Sequence, residues 1–202
     1  YLIQELEPMQ RAEYLRTITE TVFTDDIVER YGIRNKDALR AVLSLLCSSI
    51  GSYVSSSKIA LTLKSSGHAS VDHKTVINYL NNLCDAFLFY RADRYDIKGK
   101  AYLKTLFKYY SVDIGLRNAF LNFRQIEPTH TIENIVYLEL LHRGYIVDIG
   151  KNDQKEIDFI AKNMKDTFYI QVTYTMVDES TRERELGSFK KLDDGYKKIV
   201  VT

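Results

Sequence analysis

The sequence predicts an α+β protein in which a helical domain with a β-hairpin precedes an α/β domain with a mixed sheet. Residues 36–112 contain three segments with apolar residues at helical spacing, followed by two strand-like aromatic runs, FLFYRADRYD and LFKYYSVD. Residues 133–202 open with the helical ENIVYLELLHRGY and continue with the alternating runs EIDFIA and YIQVTY. The two patterns differ in period and order, which favours two domains.

The order of the elements suggests how the chain is divided. Three helices and a hairpin follow the order of a winged helix-turn-helix domain, which we predict for residues 36–112. Residues 1–35 are interpreted as a helical remnant of a preceding domain, and residues 113–132 as a helix and linker broken at Pro128. In the α/β domain, residues 133–202, EIDFIA and YIQVTY are predicted to pair as antiparallel strands, with KKIVVT beside YIQVTY.

Composition and motifs argue against several classes of protein. The 202 residues carry a formal net charge of +1, so no global charge draws the chain to nucleic acid or membrane. A signal peptide, a long apolar run, a zinc-finger spacing and a phosphate loop are all lacking in the sequence. Cys47 and Cys84 lie in apolar helical patterns, which predicts buried reduced thiols and a cytoplasmic location. The start at Tyr1, without an initiating Met, suggests a piece of a longer protein.

Basic residues in the first domain suggest contact with nucleic acid. The third helix would expose His73, Lys74 and Asn78, which can reach bases or phosphates. The hairpin between residues 90 and 110 has six basic side chains, Arg91, Arg94, Lys98, Lys100, Lys104 and Lys108. We predict nucleic-acid binding through His73, Lys74, Asn78, Arg91, Arg94, Lys98 and Lys100. The alternative is a solvated hairpin on a module that contacts proteins.

Oxygen-bearing side chains converge in the second domain. Because strand side chains alternate, Glu156 and Asp158 are predicted on one face of EIDFIA, with Ile157 and Phe159 on the other. A helix places Glu133 inward, and the partner strand carries Gln171 and Thr173. Carboxylates from a helix and a strand are the usual ligands of a hard cation such as Mg²⁺. The alternative roles are a helix-dipole contact for Glu133 and solvent exposure for the strand acids.

This arrangement resembles the core of the PD-(D/E)XK nucleases, whose fold is restriction-endonuclease-like. Glu133 and Asp158 match the helix and strand acids, which implies a weak magnesium site there. Gln171-Val172-Thr173 stands where the family has its (D/E)-x-K triplet, so an amide and a hydroxyl replace the acid and the lysine. We therefore predict that Glu133, Asp158, Gln171 and Thr173 are a vestigial catalytic set with little or no nuclease activity. The displaced lysine that could rescue activity is sought among Lys151, Lys155 and Lys162.

Motifs along nearly the whole chain resemble a second family. They include TVFTDDIVERYGIRN, DHKTVINYLNNLCDAFLFYRADRYDIKGK, KYYSVDIGLRNAF, ENIVYLELLHRGY, EIDFIA and YIQVTY. The chain resembles the C-terminal half of prokaryotic AAA-type ATPases that carry a C-terminal domain of unknown function. The resemblance implies a preceding P-loop domain that binds ATP and Mg²⁺, with residues 1–35 as the end of its lid region and no cofactor in this part.

The resemblance implies an accessory role. This part would couple the motor domain to DNA or to a protein partner, away from membranes. Two alternatives stay open: a free-standing winged-helix DNA-binding regulator, and an active metal-dependent nuclease with a displaced lysine.

Overall fold

A computed structural model describes residues 2–124, 127–177, 179–190, 192 and 194–202. The chain divides into two compact units. Unit 1 comprises Tyr1–Ser49, Val54–Tyr90 and Ser111–Ile126, and unit 2 comprises Ile50–Tyr53, Arg91–Tyr110 and Glu127–Thr202. None of the described helices is long and apolar enough to cross a membrane.

Unit 1 is helical. A 3-10 turn, Leu2–Glu5, precedes α1, and a π-helical segment, Val22–Glu29, continues from it. The α-helices are α1 (Pro8–Thr21), α2 (Lys36–Ser48), α3 (Ser56–Ser65), α4 (His73–Asp85) and α5 (Ile114–Phe120). Side-chain oxygens of Asn35, Ser55, Asp72 and Asp113 accept backbone N–H groups at the starts of α2 to α5, as N-caps do. The three helices predicted between residues 36 and 85 are confirmed.

Among the described residues, seven strands form one sheet in the order β1-β3-β2-β4-β5-β6-β7. They are β1 (Tyr53–Val54), β2 (Phe89–Asp96), β3 (Ala101–Ser111), β4 (Ile146–Asn152), β5 (Lys155–Lys162), β6 (Thr167–Val172) and β7 (Lys197–Val201). Unit 2 also contains α6 (Pro128–His142) and α7 (Glu179–Ser188).

The strand pairing confirms an α+β protein with a mixed sheet. β5 and β6 are antiparallel, with Phe159 opposite Ile170, as predicted for EIDFIA and YIQVTY. β7 lies parallel to β6, in the predicted place for KKIVVT. β2 lies parallel to β4, with Arg94 opposite Ile149. This last pairing places hairpin residues 91–110 in unit 2, together with residues 127–202, whereas the sequence grouped them with the helices of residues 36–85.

Two local expectations were wrong. Pro128 does not lie in a linker but is the first residue of α6. A proline is favourable there, because a residue in the first turn of a helix donates no helical hydrogen bond. Ile157 and Phe159 do not share a face of β5. The β4–β5 register shifts between Asp148 and Gly150, and a bulge of this kind interrupts the alternation of side chains.

The two faces of the sheet carry separate apolar clusters. Phe159, Ile170 and Val172 belong to a cluster with Tyr137 and Leu140 of α6. On the other side, Ile157, Ile160 and Tyr169 pack with Phe189 and Leu192. Helix α6 is thereby fixed against the sheet, which positions the acidic side chain that it carries.

Gly150 lies where the sheet has no space for a side chain. A Cβ at this position would lie 2.9 Å from Cβ of Ile157 and 3.1 Å from Cγ1 of Ile160. We expect Gly150→Ala to lower the free energy of unfolding by about 1–3 kcal/mol, the usual cost of overpacking. Gly195→Ala is the matched control, because no atom outside its immediate neighbours lies within 4 Å of a Cβ there. Urea denaturation gives the comparison, and equal midpoints for the two variants would contradict the expectation.

Candidate carboxylate–lysine site

Glu133 is the acidic side chain that α6 turns toward the sheet. It is buried, as predicted from its position in the helix. Its Oε1 accepts a hydrogen bond of 2.7 Å from the Tyr110 hydroxyl and one of 3.1 Å from Nζ of Lys108. The Tyr110 ring is stacked on Tyr137 of α6 with centroids 4.1 Å apart, and Phe159 lies 5.7 Å from both rings. Aromatic packing therefore fixes the donor that holds Glu133.

Lys108 is the central cation of the site. Its side chain is only 5% exposed, and its Nζ lies 2.6 Å from Oε1 of Glu156 as well as 3.1 Å from Oε1 of Glu133. Burial alone would lower the pKa of Lys108, but the carboxylates of Glu133 and Glu156 raise it above its ordinary value. The ammonium is therefore charged and bridges β3, α6 and β5.

Sequence reasoning missed Lys108 as a residue of this site and counted it among the basic side chains of the hairpin. A signal was present, because a lysine inside the apolar run LFKYYSV requires a buried partner. The alternation of exposed and buried residues along β3 did not indicate that Lys108 is buried. Leu106 has φ 61°, in the left-handed region, so the pattern of exposed residues that includes Lys104 does not continue to Lys108.

Asp158 adds a third carboxylate on β5. It is buried, and its Oδ2 accepts the backbone N–H of Val172 at 2.7 Å. Burial, reinforced by the charge of Glu133, raises the pKa of Asp158 to about 7. One ammonium thus faces three carboxyl groups, and Asp158 responds to the excess negative charge by holding a proton more tightly.

Tyr53 and Gly51 complete the surroundings of the cluster. The Tyr53 hydroxyl hydrogen bonds to Glu156, and burial followed by this bond raises the pKa of Tyr53. The guanidinium of Arg94 lies 4.4 Å from the centroid of the Tyr53 ring, a cation–π contact. On the other side, a Cβ on Gly51 would lie 3.3 Å from Oε2 of Glu133. Gly51 has φ +70°, so both its backbone and its lack of a side chain suit this position.

The predicted triplet positions lie beside the acids, with neutral chemistry. Gln171 is buried, and its Oε1 accepts the backbone N–H of Asp158 at 3.4 Å and the hydroxyl of Ser188 at 3.3 Å. The buried Thr173 donates its hydroxyl to the backbone carbonyl of Thr175. An open cleft of about 350 Å³ is lined by Thr129, Glu133, Lys155, Glu156, Asp158, Gln171, Val172 and Ser188.

Lys108 and neighbouring donors already engage part of this set of oxygens. Oε1 of Glu133 already accepts two hydrogen bonds, Oδ2 of Asp158 is held by the backbone, and the Gln171 oxygen has two donors. Within the described part of the chain, no group of three or more His, Cys, Asp or Glu side chains is arranged to hold a metal ion. The position between Glu133 and Glu156 is filled by an ammonium.

The three lysines considered for rescue lie elsewhere. Lys151 forms an ion pair of 3.2 Å with Asp96, and Lys162 is exposed at the end of β5. Lys155 lines the cleft, but its Nζ donates to the carbonyl of Gly187 at 3.0 Å. The positive charge next to the carboxylates comes instead from Lys108 on β3.

The predicted nucleic-acid residues fall in both units. In unit 1, His73, Lys74 and Asn78 are exposed on α4. In unit 2, Arg91 pairs with Asp93 at 3.1 Å, Lys98 pairs with Asp153 at 2.7 Å, and Arg94 lies over Tyr53, while Lys100 is exposed at the hairpin turn. Ion pairing therefore balances part of the positive charge that the hairpin sequence carries.

Comparisons with known proteins identify relatives without a described activity. A family model described as "Domain of unknown function (DUF8612)" matches residues 2–127, more than half of the 202-residue chain. An uncharacterized protein of Haemophilus influenzae is 41% identical over 97% of this chain and 48% of its own length. An uncharacterized protein of Methanocaldococcus jannaschii is 27% identical over 95% of this chain and 46% of its own length. The chain spans about half the length of these curated relatives, and no solved structure matches it.

The raised pKa of Asp158 predicts a pH dependence of stability. Its pKa is about 7 in the folded chain against an ordinary value of 3.8, so folding takes up a proton between these values. Stability then falls as the pH rises from about 4 to about 7, by up to about 1.4 kcal/mol per pH unit from this group. Asp158→Asn cannot titrate, so its unfolding free energy should fall less over this range.

Urea denaturation at several pH values between 4 and 7 measures the difference. Asp166→Asn, at an exposed position, is the matched control and should follow the unsubstituted chain. Parallel curves for Asp158→Asn and the unsubstituted chain would show that Asp158 does not take up a proton on folding.

Proposed function

Because the chain belongs to the DUF8612 family of unknown function, we propose its role from the carboxylate–lysine site and from the length of its relatives. The proposal is an accessory region of a larger, cytoplasmic AAA-type ATPase. Its sheet unit is a restriction-endonuclease-like domain in which the ammonium of Lys108 has taken the place of a catalytic cation. The helices α2, α3 and α4 of unit 1 are proposed as the helical part of a winged-helix domain, which couples the motor to DNA or a protein partner.

The observation that carries the proposal is the placement of buried Lys108 between the buried carboxylate of Glu133 and the partly exposed carboxylate of Glu156. An ammonium 2.6 and 3.1 Å from carboxylate oxygens neutralises part of the charge that would otherwise attract a metal ion. The triplet positions support the same conclusion, since Gln171 and Thr173 offer neither a free carboxylate nor a positive charge. Removal of one charge-stabilising group typically lowers a catalytic rate by about 10²–10³-fold.

The ATPase part of the proposal is supported by length and by motif resemblance. The curated relatives are about twice as long as the region that they share with this chain, which leaves room for a motor domain. The buried thiol of Cys47 suits the reducing cytoplasm.

A second candidate function is metal-dependent cleavage of nucleic acid with Lys108 as a displaced lysine. The observation in its favour is that a positively charged side chain reaches the acids from β3, although the triplet strand β6 has no lysine. The loss of the acid at position 171 and the engagement of Lys108 by two carboxylates count against it.

Replacing Lys108 distinguishes its role as a substitute for a metal ion from its role in a metal-dependent nuclease. Lys108→Met leaves buried carboxylates without their cation and should cost about 3–5 kcal/mol of unfolding free energy. If Lys108 stands in for a metal ion, Mg²⁺ or Mn²⁺ should then raise the thermal midpoint of Lys108→Met and leave that of the unsubstituted chain unchanged. Lys104→Met, at an exposed position on the same strand, is the control. Its unfolding free energy should equal that of the unsubstituted chain, and Mg²⁺ or Mn²⁺ should not change its thermal midpoint.

Incubation with plasmid and single-stranded DNA in the same ions completes the test. The unsubstituted chain should leave both intact. Cleavage that disappears in Asp158→Ala would establish the second candidate instead, and equal stabilisation of the unsubstituted chain by Mn²⁺ would contradict the surrogate role of Lys108.

The ATPase assignment has its own measurement. We expect the full-length Haemophilus influenzae relative to hydrolyse ATP, and its half that corresponds to this chain to have no such activity, since the motor would lie outside the shared region. Phosphate release with and without ATP measures both. A full-length relative that neither binds nor hydrolyses ATP would overturn this part and leave the role of Lys108 to be judged separately.

A further inference from the structure

The turn between β5 and β6 presents a basic tip, defined by residues 162–166. Asn163 Oδ1 accepts the backbone N–H groups of Lys165 and Asp166, both at 2.8 Å, and the Asn163 N–H donates to the Asp166 carbonyl at 3.0 Å. These bonds hold the turn in one shape. Lys162 and Lys165 are exposed on it, and the Met164 side chain between them is fully exposed.

A groove lies on each side of the tip, and each contains an exposed aromatic ring. The Tyr102 groove, of about 660 Å³, is lined by Tyr102, Gly144, Ile146, Asp148 and tip residues. The Tyr196 groove, of about 360 Å³, is lined by Phe168, Gly195, Tyr196, Lys197 and tip residues. Tyr102 is 57% exposed and Tyr196 is 49% exposed.

Each ring is in contact with neighbouring side chains, while part of its surface is exposed to solvent. The Tyr102 hydroxyl donates to Oδ2 of Asp148 at 3.0 Å, and the ring meets Tyr95 edge-on at 5.2 Å. The Tyr196 ring meets Tyr169 edge-on at 5.9 Å. Rigid, half-exposed rings of this kind are platforms on which unpaired bases stack.

The region has three lysines and two acids along its grooves, a small positive excess. Lys162, Lys165 and Lys197 form no ion pair with any described residue, and Asp166 and Asp148 are the acids that line the grooves. Burial raises the pKa of Asp148, while its bond with the Tyr102 hydroxyl and the charge of Lys162 act in the opposite direction. Lysines often protect an edge strand from pairing. That role can apply to Lys197 on β7, but not to Lys162 on β5, which has a strand on each side.

We propose that the basic tip and its two grooves bind single-stranded nucleic acid, with the lysines contacting phosphates and Tyr102 and Tyr196 stacking on bases. Stacking on isolated rings requires unpaired bases, which selects a single strand over a duplex. The surface contains none of the cleft residues and none of the nucleic-acid residues predicted from sequence. The proposed binding of single strands does not depend on the ATPase proposal or on the proposal that Lys108 replaces a metal ion.

The test is fluorescence anisotropy of the unsubstituted chain with a labelled oligothymidylate over a range of salt concentrations. Binding should weaken as salt is added. A triple variant with Lys162→Ala, Lys165→Ala and Lys197→Ala should bind at least about tenfold more weakly, with a logarithmic salt slope reduced by about two, because each phosphate contact contributes about 0.7 for single strands. The triple variant with Lys36→Ala, Lys58→Ala and Lys64→Ala removes the same charge from exposed helical positions and should bind normally.

Variants of the two tyrosines distinguish stacking on bases from electrostatic attraction to phosphates. Tyr102→Ala and Tyr196→Ala should each weaken binding by roughly fivefold to a hundredfold without changing the salt slope. Tyr196→Phe keeps the ring and should bind normally. Thermal unfolding of each variant checks that the fold is intact.

Several results would overturn the proposal: equal affinity of the two lysine variants, unchanged binding by both alanine variants of the tyrosines, or a duplex of the same length bound as tightly as the single strand. So would binding to vesicles that contain phosphatidylserine without binding to the oligonucleotide. Loss of binding in Lys98→Ala with Lys100→Ala, but not in the tip variant, would return the contact to the hairpin residues predicted from sequence.

Discussion

The ion pairs of Lys108 connect three elements of unit 2 that are distant in sequence. Its ammonium, only 5% exposed, joins β3 to Glu133 on α6 and to Glu156 on β5. A buried charge is tolerated only when it is paired and hydrogen bonded, so removal of Lys108 would leave the carboxylates around it without a counter-charge. Aromatic packing of Tyr110 on Tyr137 sets the distance between the strand and the helix at which these bonds form.

Local patterns in the sequence were sufficient for the parts of the fold that depend on neighbours along the chain. The alternation in YIQVTY and the apolar run KKIVVT predicted strands, and short connections favoured the antiparallel pairing of β5 with β6. Glu133, at the start of ENIVYLELLHRGY, was predicted to face inward, and it is buried. Each of these inferences uses only the side-chain pattern of one element or the length of the connection to the next.

The remaining features depend on contacts that no local period contains. The parallel pairing of β2 with β4 joins residues more than 50 positions apart, and it places the hairpin in the sheet of unit 2. The bulge near Asp158 places Ile157 and Phe159 on opposite faces of β5, since a register shift is decided by both strands together. Lys108 was misassigned for the same reason: its burial follows from the position of α6, and the left-handed Leu106 interrupts the pattern that leads up to it.

The chemistry of the cleft follows from the charge that Lys108 brings. Glu133, Glu156 and Asp158 already exceed what one ammonium can balance, and Asp158 responds with a pKa of about 7. A fourth carboxylate at position 171, which lines the same cleft, would increase that excess and would repel its neighbours. An amide at this position instead offers its oxygen to the backbone N–H of Asp158 and to Ser188. The amide at position 171 is therefore consistent with an internal cation that neutralises fewer charges than a divalent metal ion would.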